Sequence, residues 1–455
     1  MLGRLKSVAI TNIVSPYGLA FISYGFFLFA WSFPPHLYSS YLNERDLMFL
    51  DPLTILYFTL CTASFIAGVW VKLQFGRRRR TNDNLPRLRV ASPLLFLLVP
   101  LLSATILCLC YLIVWGGKVN FISLLASQQG STIKIVTESG LASQGHWDVA
   151  AVTLPCVLCW SVIRASQLQV RGFVKYLYWL FLGLGCVVDI LTCVATVDRT
   201  SLMPLVIGLA VVYIFINSKN TVAPLKRIAR RGIVSIVAGT GLFTLVSFLR
   251  GDLILRALTT SLLGYTIVSY NRLAALLLGI MHYRYEGSGV YLFPLLEQSG
   301  SLNQLVPFAD YFRWPAAHEL WRSEFASVAL AGLNPSYIWS GVFGYLYSDI
   351  GWFTTLYMIL YGFVAAYLWR RFEKGTLIGL VFYPWMACCI LWWNGVNFLL
   401  FDRILHLVEV TIALALYERL TVTKLPLAEG NLSLATSLTE PRYEQFTERA
   451  DHGSL

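Results

Sequence analysis

The sequence predicts an all-α polytopic membrane protein with about ten transmembrane helices, or twelve on an alternative reading. Three observations carry that fold class. The 455-residue chain is 57% hydrophobic and only 13% charged, with a mean hydropathy of +0.64. Apolar runs of about 20 residues, the length that crosses a bilayer core, recur along most of it. Its 14 Trp and 24 Tyr suit a protein with two membrane interfaces to anchor. A β-barrel would show alternating segments of about ten residues instead, and the chain has none.

The apolar runs place spans at about 15–36, 50–73, 90–116, 149–165, 176–197, 201–218, 232–249, 352–371, 375–393 and 397–417. The first follows Arg4 and Lys6 in the manner of a signal peptide, but no soluble domain follows, so it reads as a signal anchor. The run 176–218 is the most informative. Its 43 residues would reach roughly 65 Å as one helix, about twice a bilayer core, so it must be two helices. Asp198-Arg199-Thr200-Ser201 is then the turn, with Thr200 or Ser201 capping the second helix and Pro204 in its first turn.

Basic residues set the sidedness. Arg4 and Lys6, Arg77–Arg80 with Arg87 and Arg89, Arg164/Arg171/Lys175, Lys219/Lys226/Arg227/Arg230/Arg231 and Arg370/Arg371/Lys374 all fall on one side of a ten-span layout. With the tail included, 24 of 35 Lys and Arg lie on that side, the expected cytoplasmic face, and both termini lie there too. The net charge of +11 is therefore a topology signal and gives no reason to invoke nucleic acid. The domain expectation is one polytopic unit over 1–418, with a polar cytoplasmic tail, disordered in character, over 419–455. All nine cysteines fall within the apolar runs, which argues against a disulfide framework. The Cys156/Cys159 pair reads as packing.

Residues 250–351 form the one large outer loop. Two of its stretches are apolar enough to span. The first, 262–281, is interrupted by Asn271 and Arg272, and the second, 325–347, by Asn334-Pro335. If both crossed, 282–324 would be cytoplasmic with three Arg against five acids, the wrong balance for an inside loop. Re-entrant or surface-lying helices are the favoured reading, since broken helices are tolerated where they line a cavity.

Charges near the outer leaflet are costly and so informative. Arg199 sits at the outer turn, Arg250, Asp252 and Arg256 follow the seventh span, and Arg272 interrupts an apolar helix. Asp402, Arg403, His406 and Glu409 lie in the last span, with 402, 406 and 409 on one face. Asp189, within the fifth span, is positioned to pair with any of these cations. Several arginines around an outer cavity suit a diphosphate, because guanidinium offers paired donors and keeps its charge when partly dry. The competing reading is that they reach headgroups or pair with nearby acids.

The loop segment "ADYFRWPAAHELWRSEF" (309–325) gathers Asp310, Arg313, His318, Glu319 and Arg322. His318 or Glu319 can serve as a general base on a sugar hydroxyl, and Arg313 and Arg322 can bind an anion. Trp314 and Trp321 offer faces for sugar rings or interface anchoring. The alternative is a solvated amphipathic helix with i, i+3 and i+4 ion pairs. Glu44-Arg45-Asp46 is a short acidic motif of the kind that holds a divalent ion, though a solvated loop has the same look, and no metal or cofactor is expected.

Two stretches resemble the O-antigen and capsule repeat-unit polymerases, the Wzy group. "TVDRTSLMPLVIGLAVVYIF" (196–215) resembles that family's Arg-Thr/Ser-led outer turn and apolar helix. "NPSYIWSGVFGYLYSDIGWFTTLYMILYGFVAAYLWRR" (334–371) resembles its Gly-rich helix, Tyr-x-Asp-x-Gly turn and basic-ended span. Ile350 and Thr354 depart from the usual Phe and Gly. The resemblance implies a GT-C-like membrane glycosyltransferase in the bacterial inner membrane, acting at the periplasmic face. The implied substrate is undecaprenyl-diphosphate-linked oligosaccharide, with a chain-length regulator as possible partner. It makes Arg199 a substrate-binding position and Tyr345 and Asp349 site positions. Reading the residues themselves adds Arg250, Arg272, Arg313, Arg322, Arg403 and His406 as substrate-binding candidates, and His318 and Glu319 as bases. The rival functions are an O-antigen ligase, a flippase for the same lipid-linked sugars and a membrane O-acyltransferase using His406.

Overall fold

The computed structural model describes residues 12–42, 44, 51–75, 88–90, 97–116, 147–168, 172–196, 202–219, 241, 254–294, 296, 306–335, 337–395, 397, 399 and 403–424. Among the described residues the fold is α-helical apart from one pair of three-residue strands. In chain order the elements are α1 (Pro16–Trp31), α2 (Pro35–Leu42), α3 (Pro52–Phe75), β1 (Leu88–Val90), α4 (Leu98–Gly116), α5 (Trp147–Leu168), α6 (Phe173–Thr196) and α7 (Leu202–Lys219). There follow α8 (Ile254–Leu277), α9 (Phe308–Phe312), α10 (Ala317–Leu330), α11 (Gly341–Ile350), α12 (Thr354–Glu373), α13 (Leu377–Leu391), α14 (Arg403–Thr421) and β2 (Val422–Lys424).

Among the described residues three stretches are long and apolar enough to cross a membrane: Pro52–Phe75, Phe173–Cys193 and Gly341–Glu373, the last formed by α11, a 3-10 turn and α12. Shorter apolar helices, including Pro16–Trp31, Leu202–Ser218 and Leu377–Leu391, pack among them. The helix α13 is the hub, touching α1, α5, α7, α12 and α14. Almost every residue from Gly379 to Ile390 is buried, as expected for a helix that is apolar all round. The tightest pair is α3 with α12. A side chain at Gly68 would collide with the Ile359 carbonyl and one at Gly362 with the Phe65 carbonyl, so the two glycines let the backbones touch.

The helix ends fall into two groups. At one end Arg370 donates to the Leu73 carbonyl, Arg164 binds Glu418 and the Gly375 carbonyl, and β1 pairs antiparallel with β2. At the other end Val342 N–H donates to the Trp393 carbonyl at 2.8 Å, Tyr57 packs edge-on to Trp352, and Arg272 meets Glu44. The first group holds the loop ends that the basic-residue pattern assigns to the cytoplasm, and the second holds the expected outer ends.

The 176–218 run is indeed two helices, α6 ending at Thr196 and α7 starting at Leu202. The turn between them, with Asp198 and Arg199, lies outside the described residues, as do the expected span at 232–249 (Gly241 aside), Arg250, Asp402 and the tail beyond 424. Other elements differ from expectation. Asn271 and Arg272 do not break their helix: α8 runs unbroken from Ile254 to Leu277 because both side chains find partners inside the protein. The last helix starts at Arg403 and ends at Thr421, because the preceding Trp392-Trp393-Asn394 stretch turns back to hydrogen-bond α11. The segment 309–325 is two helices. Arg313 closes α9 in the left-handed region (φ 54°), and Pro315 stops α9 and α10 from joining. Cys159 packs on Gly208, and the described cysteines are free and mostly buried, in keeping with a packing role.

Candidate functional site

The described residues between α8 and α12 fold into a cap on the end of the bundle that the sequence reading expects to face outward, with their own apolar core around Met281, Tyr283, Val290, Trp314, Val328 and Tyr345. The chain leaves α8 and turns through Gly287 (φ 75°) and Gly289 (φ 82°), conformations that favour glycine. Asp349, near the end of α11, fixes this loop by accepting from Gly289 N–H at 3.1 Å and Leu292 N–H at 2.7 Å. Trp314 is buried and donates its indole N–H to the Ser288 carbonyl at 2.9 Å.

Inside the cap lies a buried acid. Leu320, Ser323, Glu324, Ser327 and Val328 form the inner stripe of α10, and Glu324 is only 7% exposed. Tyr345 donates to its carboxylate at 3.1 Å. Burial pushes the Glu324 carboxyl up to about 8, against the opposing effect of that hydrogen bond. Tyr283 stacks on Tyr345 at 5.5 Å, and Tyr291 packs against both. Burial first, and then the nearby Glu324, push the Tyr283 and Tyr291 phenols upward. The Tyr291 hydroxyl has no hydrogen-bond partner among the described residues.

A buried ion pair fastens the cap to the bundle. Arg272 on α8 is 0% exposed and Glu44, just after α2, is 3% exposed. Arg272 grips both carboxylate oxygens of Glu44, and also donates to the Tyr337 and Asn334 carbonyls at 2.8 Å each. Glu44 further accepts from Asn271 at 3.2 Å, Tyr38 at 2.5 Å and Asn334 N–H at 2.9 Å. Burial works to raise the Glu44 carboxyl, but Arg272, Tyr38 and the Asn334 N–H outweigh it and hold the group below its ordinary value. The Asn334-Pro335 break is thus clamped from both sides by one salt bridge.

These contacts redistribute the roles read from the sequence. Arg272 is committed to Glu44 and two carbonyls, so it positions the cap and does not present its guanidinium to a cavity. Glu44 holds that guanidinium instead of a divalent ion. Asp349 holds backbone N–H groups, and Tyr345 faces Glu324 in the interior. Asp189 pairs with no cation among the described residues; it is buried against Cys156, Cys159 and Cys186, with one carboxylate oxygen unpartnered. His406 is bound to Glu409 at 3.1 Å on α14, which packs on α5 and α13, and Arg403 opens that helix.

The remaining candidates lie on the exposed parts of the cap, with Glu319 and Arg322 one turn apart on α10 and Arg313 at the end of α9. Glu319 accepts from Tyr285 at 2.8 Å, and Arg313 and Arg322 are exposed with no carboxylate partner among the described residues. His318 lies one position before Glu319 in the first turn of α10. Trp321 is 49% exposed and Tyr311 is 81% exposed, while Phe312 stacks on buried Trp314. Of the two tryptophans, only Trp321 is open to a ligand. Glu324 was not singled out in the sequence; its signal is its place on the 320/323/324/327/328 stripe. No group of three His, Cys, Asp or Glu side chains that suits a metal occurs among the described residues. The chain matches no protein-family model, no curated protein and no solved structure.

Proposed function

We propose that the protein is a membrane glycosyltransferase that polymerises undecaprenyl-diphosphate-linked oligosaccharide repeat units at the periplasmic face of the bacterial inner membrane, in O-antigen, capsule or exopolysaccharide synthesis. Sequence resemblance supplies the reaction class. The single structural observation that supports it is the cap, which exposes Glu319, the aromatic residues Tyr311 and Trp321, and two arginines, Arg313 and Arg322, with no carboxylate partner among the described residues.

In the proposed reaction the acceptor hydroxyl oxygen bonds to the anomeric carbon of the donor sugar as the bond from that carbon to the diphosphate oxygen breaks. The hydroxyl proton passes to Glu319 or His318. Undecaprenyl diphosphate leaves with the bonding electrons, and Arg313 and Arg322 meet its charge. Trp321 and Tyr311 offer faces for the sugars. Arg272, Tyr345 and Asp349 act through the fold, holding the cap in place. Arg199, Arg250, Arg403 and His406 remain candidates for the lipid-diphosphate end of the substrate.

The test is reconstitution of the purified chain in liposomes with lipid-linked repeat units. Polymerase activity gives a ladder of lipid-linked products, and Arg313→Ala with Arg322→Ala removes the ladder while the protein stays folded. Transfer to lipid A-core alone would make the protein a ligase. Movement of lipid-linked units across the bilayer without new glycosidic bonds would make it a flippase. A normal ladder from the double variant would remove the two arginines from the site.

A further inference from the structure

One face of α12 carries an open groove of about 340 Å³ lined by Leu356, Ile359, Leu360 and Phe363. Leu356, Ile359 and Leu360 are exposed. The groove does not end in apolar residues. At its lower end Lys72, in the last turn of α3, places its ammonium 4.6 Å from the Phe363 ring centroid and 5.2 Å from that of Tyr367. Arg371 lies 5.2 Å from the Tyr367 centroid. Positions 356, 360, 363, 367 and 371 follow one another at steps of three and four, and 359 lies three from 356 and four from 363, so they form one stripe of α12. From Leu356 to Arg371 the stripe is about 22 Å long, more than half of a roughly 30 Å hydrocarbon core.

Lys72 and Arg371 have no carboxylate partner among the described residues; each is held against a ring instead. Neighbouring Arg370 is already occupied by the Leu73 carbonyl. Two cations without a carboxylate partner among the described residues, continuous with an open apolar groove, match one kind of molecule: a chain of hydrocarbon with a negative headgroup.

We propose that this groove is a binding site for one anionic phospholipid, with an acyl chain along Leu356, Ile359, Leu360 and Phe363 and the headgroup phosphate between Lys72 and Arg371. The site is independent of the cap and of the reaction proposed there.

The experiment is native mass spectrometry of the full chain in detergent, titrated with dioleoyl phosphatidylglycerol and dioleoyl phosphatidylcholine. The acyl chains are identical, so the ratio of the two affinities reads the headgroup. Each interfacial cation contributes roughly fivefold, so wild type prefers the anionic lipid by about 25-fold at one site. Lys72→Gln with Arg371→Gln removes the preference and leaves weaker, equal binding of both lipids. Leu360→Trp, which fills the channel and faces outward, weakens both lipids alike. Arg371→Lys keeps most of the preference and guards against a variant that only misfolds. Equal affinity of wild type for the two lipids, an unchanged preference in the double variant, or full displacement of the lipid by inorganic phosphate would each overturn the proposal. So would a dimer of the chain that carries no lipid.

Discussion

The buried Glu44–Arg272 pair sets a quantitative test. Glu44→Gln keeps the size of the side chain and one carbonyl acceptor for Tyr38 or Asn271, but it leaves the Arg272 charge buried and unpaired. Arg272 is wholly inaccessible and its donors point at Glu44 and two carbonyls, so no water is at hand to replace the lost charge. Removing one partner of such a pair costs about 3–5 kcal/mol, or roughly 140- to 4,000-fold in an equilibrium constant. The cost falls on the cap, because Asn334 and Tyr337 are the groups Arg272 ties down. The assay is the rate at which protease cuts between α8 and α11 in the purified protein. In the regime where cleavage is slower than reclosing, that rate follows the open population. The expected rise is two to three orders of magnitude, with the rest of the bundle still resistant. Cleavage within about twofold of wild type would refute the reasoning, since it would mean that Arg272 has another source of negative charge.

Other outcomes follow from the same geometry. Because burial pushes the Glu324 carboxyl up to about 8 from an ordinary 4.5, the folded state holds a proton that the unfolded state releases, so this group's contribution to stability falls as pH rises through that window. Glu324→Gln should therefore gain stability relative to wild type in thermal melts at pH 9 but not at pH 5; the same difference at both would remove the buried acid. Trp314→Ala, in the cap core, should cost about 3–5 kcal/mol in a melt or denaturant titration, whereas Trp321→Ala should leave the melt unchanged and weaken oligosaccharide binding. A topology reporter fused near residue 300 should be active only outside the cytoplasm; cytoplasmic activity would mean that α8 and the 325–347 segment both cross.

The helices were legible because their signal is local. Hydrophobic run length divided 176–218 into two helices, and the Asn334-Pro335 break was visible as a dipeptide that cannot continue a helix. Of the helix ends next to the basic loops, those of α3, α5, α12 and α14 meet at one end of the bundle. The site was less legible because its determinants are long-range. Arg272 announced that it needed a partner, but nothing in sequence distinguished Glu44, 228 positions away, from the nearer-looking Asp189. Glu324 was masked by its neighbours: in a segment crowded with charge, Asp310, Glu319 and Arg322 look equally chemical, and only packing of α10 shows which acid turns inward. Trp314 and Trp321 likewise carry the same side chain to opposite fates because Arg313 and Pro315 divide the segment between them.

The separation of Glu44 from Arg272 also bears on how the chain is made. At about 5–20 residues per second, roughly 11–46 s pass on the ribosome between the two. For that interval the carboxylate stands without its guanidinium, and α8 then emerges with a charge in its last two turns that is neutralised by Glu44, just after α2. The cap therefore closes late, and the cell's quality-control machinery meets the nascent chain with an acid and an apolar surface still open. A defect at either residue would be felt first as a shorter lifetime of newly made protein, before any loss in molecules that have matured.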